Sequence, residues 1–180
     1  SIGLTGIMAL WLGIMRIGEK GGAVKLLSKV FAPLFQKLFP ELPKNSKAHG
    51  AIIMNISANM LGLDNAATPL GLKAMKELQE ENADKNKASN AQILFLVLNT
   101  SGLTLIPTSI IALRATAMAE NNITGNPADI FLPILIATYC STIAGLIFVS
   151  ILQKINLFQK TIIAYLGSAT MAIGLLIWYL

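Results

Sequence analysis

One histidine and one cysteine in 180 residues leave almost nothing for metal or thiol chemistry. A lone Cys140 excludes an internal disulfide and a cysteine-ligated cluster, and a lone His49 excludes a histidine-rich metal site. Both read as structural: Cys140 is a small hydrophobe inside an apolar run, and His49 sits at a segment edge near Lys47. Charge is scarce as well. Charged residues make up 13% of the chain against 54% hydrophobic, and the mean hydropathy is +0.63, which places it outside the soluble globular range and among membrane proteins. Paired carboxylates, a Ser–His spacing and a metal-ligand spacing are all missing, which argues against an enzyme. Nothing calls for a cofactor or for nucleic acid. A secretory signal is excluded too, because the first apolar run is followed, not preceded, by basic residues. The chain opens without Met, so an N-terminal piece is expected ahead of it.

What is present is hydrophobic runs of two kinds. Residues 2–20, with the apolar core "IGLTGIMALWLGIM", 128–153 and 161–180 suit ordinary spanning helices. Residues 22–39 differ, since Leu26, Leu27, Val30, Phe31, Leu34, Phe35 and Leu38 share one helical stripe opposite Lys25, Ser28, Lys29, Gln36 and Lys37. That pattern predicts an amphipathic helix lying in the membrane interface and kinked near Pro33, with packing against other protein elements as the alternative.

Charge asymmetry sets the orientation. Arg16, Lys20, Lys25, Lys29, Lys37, Lys44 and Lys47 outnumber Glu19 and Glu41, whereas 115–130 carries Glu120 and Asp129 with no cation. The basic stretch is therefore expected inside and the acidic one outside. The linker 73–90 balances four lysines with four acids, and its lysine content also favours the inside. The apolar stretch 50–72 must then enter and leave on the same side, as a re-entrant helical hairpin. Within it, "NMLGLDNAATPLGL" breaks the helix, and Thr68 as N-cap with Pro69 at the first helical position is expected to start the returning half. Residues 90–118 must cross from inside to outside, and "NTSGLTLIP" interrupts them, which predicts a broken transmembrane helix restarting at Pro107.

Two adjacent interrupted segments point to a transporter binding site, because half-helix ends present free carbonyls to cations and free N–H groups to anions. Asn55 and Asn59 lie one turn apart on a single face and offer both donors and acceptors to a neutral solute. Asp64, the one acid embedded in the hairpin, is a candidate for ion coupling (Na⁺ or H⁺) or solute contact, with capping of the next helix as its structural alternative. Asn65, Thr68, Asn99, Thr100, Ser101 and Thr104 complete the candidate set.

The runs "MNISANMLGLDNAATPLGLKAM", "LNTSGLTLIPTSIIALRA" and "GIMALWLGIMRIGEKGG" closely resemble the spore maturation protein A family, within the nucleoside-recognition or Gate group that includes parts of nucleoside transporters and ferrous-iron transporter B. The matched positions are Asn55, Asn59, Gly62, Asp64, Asn65, Thr68 and Pro69, then Asn99, Thr100, Ser101 and Pro107. The resemblance implies a multi-pass protein of the cytoplasmic (inner) membrane acting with a spore maturation protein B partner, with a role in dehydrating the spore core in spore formers. Residues 161–180 run past the best-matching region, as in an A–B fused form. The expected fold is an all-α polytopic membrane protein: one Gate-type domain over 1–180 with a re-entrant hairpin, a broken transmembrane helix and an interfacial amphipathic helix. This is half of an inverted-repeat, transporter-like arrangement, so a B-like partner, a fused second half or a homodimer is expected to complete it. The function expected is a subunit or half of a transporter or channel for a small polar solute, nucleoside-like or other. The alternative is a non-transporting scaffold that assembles envelope or spore-maturation proteins.

Overall fold

A computed structural model describes residues 17, 21–43 and 45–179, without the side chains of 23–25 and 64–66; the expected span over 2–20 lies outside them but for Ile17. The described residues are all-helical: α1 (Ala23–Leu38), α2 (Lys47–Met60), α3 (Asp64–Glu81), α4 (Asn90–Ser101) and α5 (Thr108–Glu120), then a 3₁₀ turn (Pro127–Ile130) leading into α6 (Phe131–Gln153), and α7 (Lys160–Tyr179).

The core forms where α2 is wrapped. Ala48, Ile52 and Ala58 on α2 are fully buried, and α1, α3 and α4 all pack against this helix. On α1, the C-terminal half of the expected stripe, Leu34, Phe35 and Leu38, is buried on protein, while Leu26 and Val30 stay exposed. The stripe is thus divided between protein and the surroundings. Helix α7 closes over α1: the Tyr165 hydroxyl donates to the Val30 carbonyl at 2.6 Å, and its ring lies 6.1 Å from that of Phe31.

Helices α2 and α3 form a tight antiparallel hairpin. At its base, the Ser46 hydroxyl accepts from the Ala48 N–H at 3.0 Å and reaches Glu81 Oε1 at 2.6 Å, tying the start of one arm to the end of the other. At its tip, Gly62 adopts φ +67°, the Gly62 N–H bonds the Asn59 carbonyl, and the Leu63 N–H bonds the Ala58 carbonyl, each at 2.9 Å. This pair of bonds around a left-handed glycine is a Schellman stop. The new helix starts at Asp64 directly after it, which corrects the expected restart at Thr68 and Pro69. Pro69 lies inside α3. Its missing N–H leaves one carbonyl, that of Asn65, without its helical donor, a defect near the helix start that membrane-type helices tolerate.

His49, in the first turn of α2, gives the base of the hairpin a pH response. Burial holds its pKa below the usual 6.5, against the opposing pull of the Glu81 carboxylate and the backbone carbonyls of Leu42 and Pro43. A base whose pKa is lower folded than unfolded is fully tolerated above the unfolded value and costs stability as pH falls below it. The thermal midpoint of the purified protein is therefore expected to drop as the pH falls through about 6.5, and His49→Gln to flatten that drop. An unchanged slope in the variant would assign the effect to other groups.

After the loop 82–89, α4 starts on a capping box in which Ser89 Oγ accepts from the Gln92 N–H at 3.2 Å and Gln92 Oε1 accepts from the Ser89 N–H at 2.8 Å. It stops at Gly102, again left-handed at φ +61°, and α5 resumes at Thr108 after Pro107. Helix α6 then packs along α4 at Gly145, where a methyl group would stand 3.0 Å from Val97 Cγ1. The stretches Pro127–Gln153 and Lys160–Tyr179 are long and apolar enough to cross a membrane, and both expose large apolar residues such as Phe148, Ile151, Leu175 and Trp178.

Candidate functional site

The two helix breaks meet. The Leu105 and Ile106 N–H groups, from the interruption between α4 and α5, both bond the Met60 carbonyl at the tip of α2, at 2.8 and 3.1 Å. In return, the Ser109 hydroxyl donates to the Gly62 carbonyl at 3.2 Å. The tip packs so closely that a methyl on Gly62 would lie 2.6 Å from the Ile106 carbonyl oxygen and 3.0 Å from Thr108 Oγ1.

This crossing alters the expected chemistry of the α2 end. The last four carbonyls of a helix lack intrahelical donors. Here those of Ser57, Ala58, Asn59 and Met60 are taken by Leu61, Leu63, Gly62 and the pair Leu105–Ile106. The free carbonyls expected to face a cation at this helix end are used within the protein. Helices α3 and α5 leave the crossing from Leu63 and Pro107, which have no side-chain oxygen to offer the first N–H groups.

Beside the crossing the amides gather. Asn55 is 2% exposed, and its Nδ2 donates to the Ala67 carbonyl at 2.7 Å, pinning the two hairpin arms together. Its Oδ1 is buried with no partner among the described residues. Gly71 makes this approach feasible, since a methyl there would stand 2.9 Å from Asn55 Nδ2. One turn further, Asn59 Nδ2 donates to Asn99 Oδ1 at 2.9 Å, joining the hairpin to α4, and Asn99 Nδ2 donates to the Phe95 carbonyl at 2.9 Å. These amides border a cavity of about 380 Å³ between α3 and α4, lined by Asn55, Asn59, Thr68 and Asn99 with Ala67, Gly71, Leu72, Met75, Phe95 and Leu96. Its described lining combines three amides and a hydroxyl with apolar side chains and carries no charge, a surface suited to a neutral, hydrogen-bonding molecule.

The expected set thus divides. Asn55, Asn59, Thr68 and Asn99 line one cavity. Asp64 and Asn65 occupy the first turn of α3 at the crossing, their side chains outside the described ones. Thr100 is exposed, while the Ser101 hydroxyl donates to the Leu98 carbonyl at 3.0 Å and the Thr104 hydroxyl to that of Gly102 at 2.8 Å. These last two stitch the break. Sequence reasoning passes over Ser109 and the Met60 carbonyl, and takes Gly71 only as part of the helix-breaking run rather than as a residue of the site.

Comparison with known proteins bears on the same stretch. The profile described as nucleoside recognition, Gate, matches residues 1–117, which contain both breaks and the whole cavity lining. Spore maturation protein A of Bacillus subtilis (strain 168) is 44% identical over 147 residues, covering 82% of this chain and 72% of that protein. The chain belongs to the spore maturation protein A family. This nucleoside-recognition family is one of membrane proteins with a transport-like character, in keeping with the apolar helices α6 and α7. No solved structure matches the chain.

Proposed function

We propose that this member of the spore maturation protein A family is a subunit or half of a membrane transporter or channel for a small, neutral, polar solute held between α3 and α4. The observation that carries the reading is the uncharged cavity of about 380 Å³, with Asn55, Asn59 and Asn99 on its wall, beside two helix breaks that support each other. The dimensions agree. Fourteen residues of α2 rise roughly 20 Å at 1.5 Å each, so a hairpin entering from the cytoplasmic side carries its tip past the middle of a hydrocarbon core of roughly 30 Å without crossing it. Non-helical backbone at that depth is accommodated where protein buries it, and here the two breaks bury each other. In this arrangement α1 lies at the interface with Leu26 and Val30 towards lipid. Asp64 is the acid that couples to Na⁺ or H⁺. Leu72 and Leu96, 71% and 58% exposed beside the cavity, await a second half, a B-type partner or another copy. The protein resides in the cytoplasmic membrane.

The test is a thermal-shift screen of the purified full chain against nucleosides, nucleobases, inorganic anions and Na⁺. A concentration-dependent rise with an uncharged solute, lost in Asn59→Leu, is the expected result, because a ligand that binds the folded state alone raises its stability. Absence of any shift, together with obligate co-purification of another membrane protein, would overturn the reading in favour of a scaffold.

A further inference from the structure

The turn between α6 and α7 presents an aromatic ring between two cations. Both helices are long and apolar enough to cross a membrane, so the short turn joining them emerges at a membrane surface. Its side chains alternate. Ile155 and Leu157 pack inwards against the main core, whereas Lys154, Asn156, Phe158 and Lys160 are exposed. Phe158 is 85% exposed, an unfavourable state for a bare ring in water. Local bonds hold it there. The Ile155 N–H bonds the Ser150 carbonyl at 2.9 Å, the Phe158 N–H bonds Asn156 Oδ1 at 2.9 Å, and Gln153 Nε2 donates to the Asn90 carbonyl at 3.0 Å.

Helix α1 extends the same surface. Tyr165 ties α7 to it through the Val30 carbonyl, and Leu38 and Phe39 at its end line a crevice with Lys154 and Ile155. The exposed stripe of α1 carries Lys29 and Lys37 beside Leu26 and Val30. Among the described residues the ion pairs are Lys73–Glu77 and Lys87–Asp84, so Lys29, Lys37, Lys154 and Lys160 have no carboxylate partner. Glu41, one turn beyond Lys37, accepts instead from Asn90 Nδ2 at 2.6 Å. Lysines that serve only solubility need no apolar neighbours. Here unpaired cations alternate with exposed apolar side chains at the level where two spans end. That combination suits the boundary between headgroups and acyl chains, where a ring enters the apolar edge and long lysine stems lift their ammonium groups to phosphates.

We infer that the α6–α7 turn and the exposed stripe of α1 form a docking surface for anionic phospholipid headgroups, with Phe158 at the acyl boundary and Lys29, Lys37, Lys154 and Lys160 on the phosphates. The inference stands on the membrane setting of α6 and α7 and is independent of any solute in the asparagine cavity.

Lipid-selective fluorescence quenching tests it on the full chain. Phe158→Trp is combined with Trp11→Phe and Trp178→Phe, which leaves one emitter at the turn, while Trp11→Phe alone leaves the emitter at Trp178. Each protein is reconstituted in mixed bilayers of phosphatidylglycerol and phosphatidylcholine, with bromine on the acyl chains of one lipid or the other. The two quenching curves give the association ratio of the lipids at each emitter. The 20 residues of α7 rise roughly 30 Å, so Trp178 reports the opposite surface. The expected ratio is about ten in favour of phosphatidylglycerol at position 158 and about one at Trp178. Lys154→Gln with Lys160→Gln should lower the first ratio by about fivefold, and raising the salt should lower it in the parent. Equal ratios at the two positions, no quenching at position 158 by either lipid, or a ratio there unmoved by the lysine substitutions or by salt would overturn the inference. So would its loss to inorganic phosphate at constant ionic strength, which would assign the lysines to a soluble anion. A constant ratio at Trp178 certifies that the lysine variants have folded, and the salt titration needs no variant at those lysines.

Discussion

Alanine at position 62 lowers the unfolding free energy by about 3 kcal/mol, whereas alanine at position 167 leaves it unchanged or slightly raised. The two glycines differ in what a methyl group meets. Gly62 holds φ +67°, a left-handed conformation that costs an L side chain roughly 1–2 kcal/mol. Its added carbon would also lie 2.6 Å from the Ile106 carbonyl oxygen, a backbone atom of the opposite break. Relief requires the tip of the hairpin to withdraw from the α4–α5 interruption, which loosens the bonds from Leu105 and Ile106 to the Met60 carbonyl. Such overpacking adds roughly 1–3 kcal/mol. Gly167, within α7, has nothing within 4 Å of the corresponding position, so alanine there gains only helix propensity. Thermal unfolding of the detergent-solubilised protein, followed by tryptophan fluorescence, compares the two directly. A Gly62→Ala midpoint equal to that of the parent would show that the two breaks do not support one another.

How much of the molecule is legible in its sequence depends on the kind of signal. The positions of the breaks are readable, because Gly, Asn, Thr and Pro clustered inside an apolar run do not sustain a helix. The side-by-side placement of Asn55 and Asn59 follows from the helical repeat alone. The restart of the second arm is misread at Thr68 and Pro69, since proline at a first helical position is a strong local preference. It loses to the Schellman stop at Gly62, which satisfies two orphan carbonyls and lets the next helix begin at once. The crossing itself cannot be read. It is made by the carbonyls of Met60 and Gly62, and a backbone acceptor leaves no trace in the identity of its residue. The same holds for the Ala67 carbonyl that receives Asn55, and for Ser101 and Thr104, whose hydroxyls close local bonds rather than turn to the cavity. The amphipathic stripe of α1 is readable, but a stripe does not reveal how much of it protein will cover.

Asn55 separates the structural role of the site from its binding role. Its amide must donate to the Ala67 carbonyl at 2.7 Å, while its buried oxygen lacks a partner among the described residues. Aspartate has nearly the same shape but replaces the donating nitrogen with an oxygen, setting two acceptors against each other in a site that is 2% exposed. The expected cost is about 3 kcal/mol, the upper range for stranding a buried polar partner. Leucine removes the polarity instead. The Ala67 carbonyl remains in α3, where the Gly71 N–H is its helical donor, so leucine should cost only about 1 kcal/mol. The predicted order of stability is therefore asparagine, then leucine, then aspartate, measured as thermal midpoints at neutral pH. An aspartate variant as stable as the leucine one would mean that the bond across the hairpin contributes little. If Asn55 also takes a hydrogen from the solute through its free oxygen, the leucine variant stays folded yet loses the solute-dependent rise in midpoint. Retention of that rise in Asn55→Leu would confine Asn55 to holding the hairpin closed and leave recognition to Asn59 and Asn99.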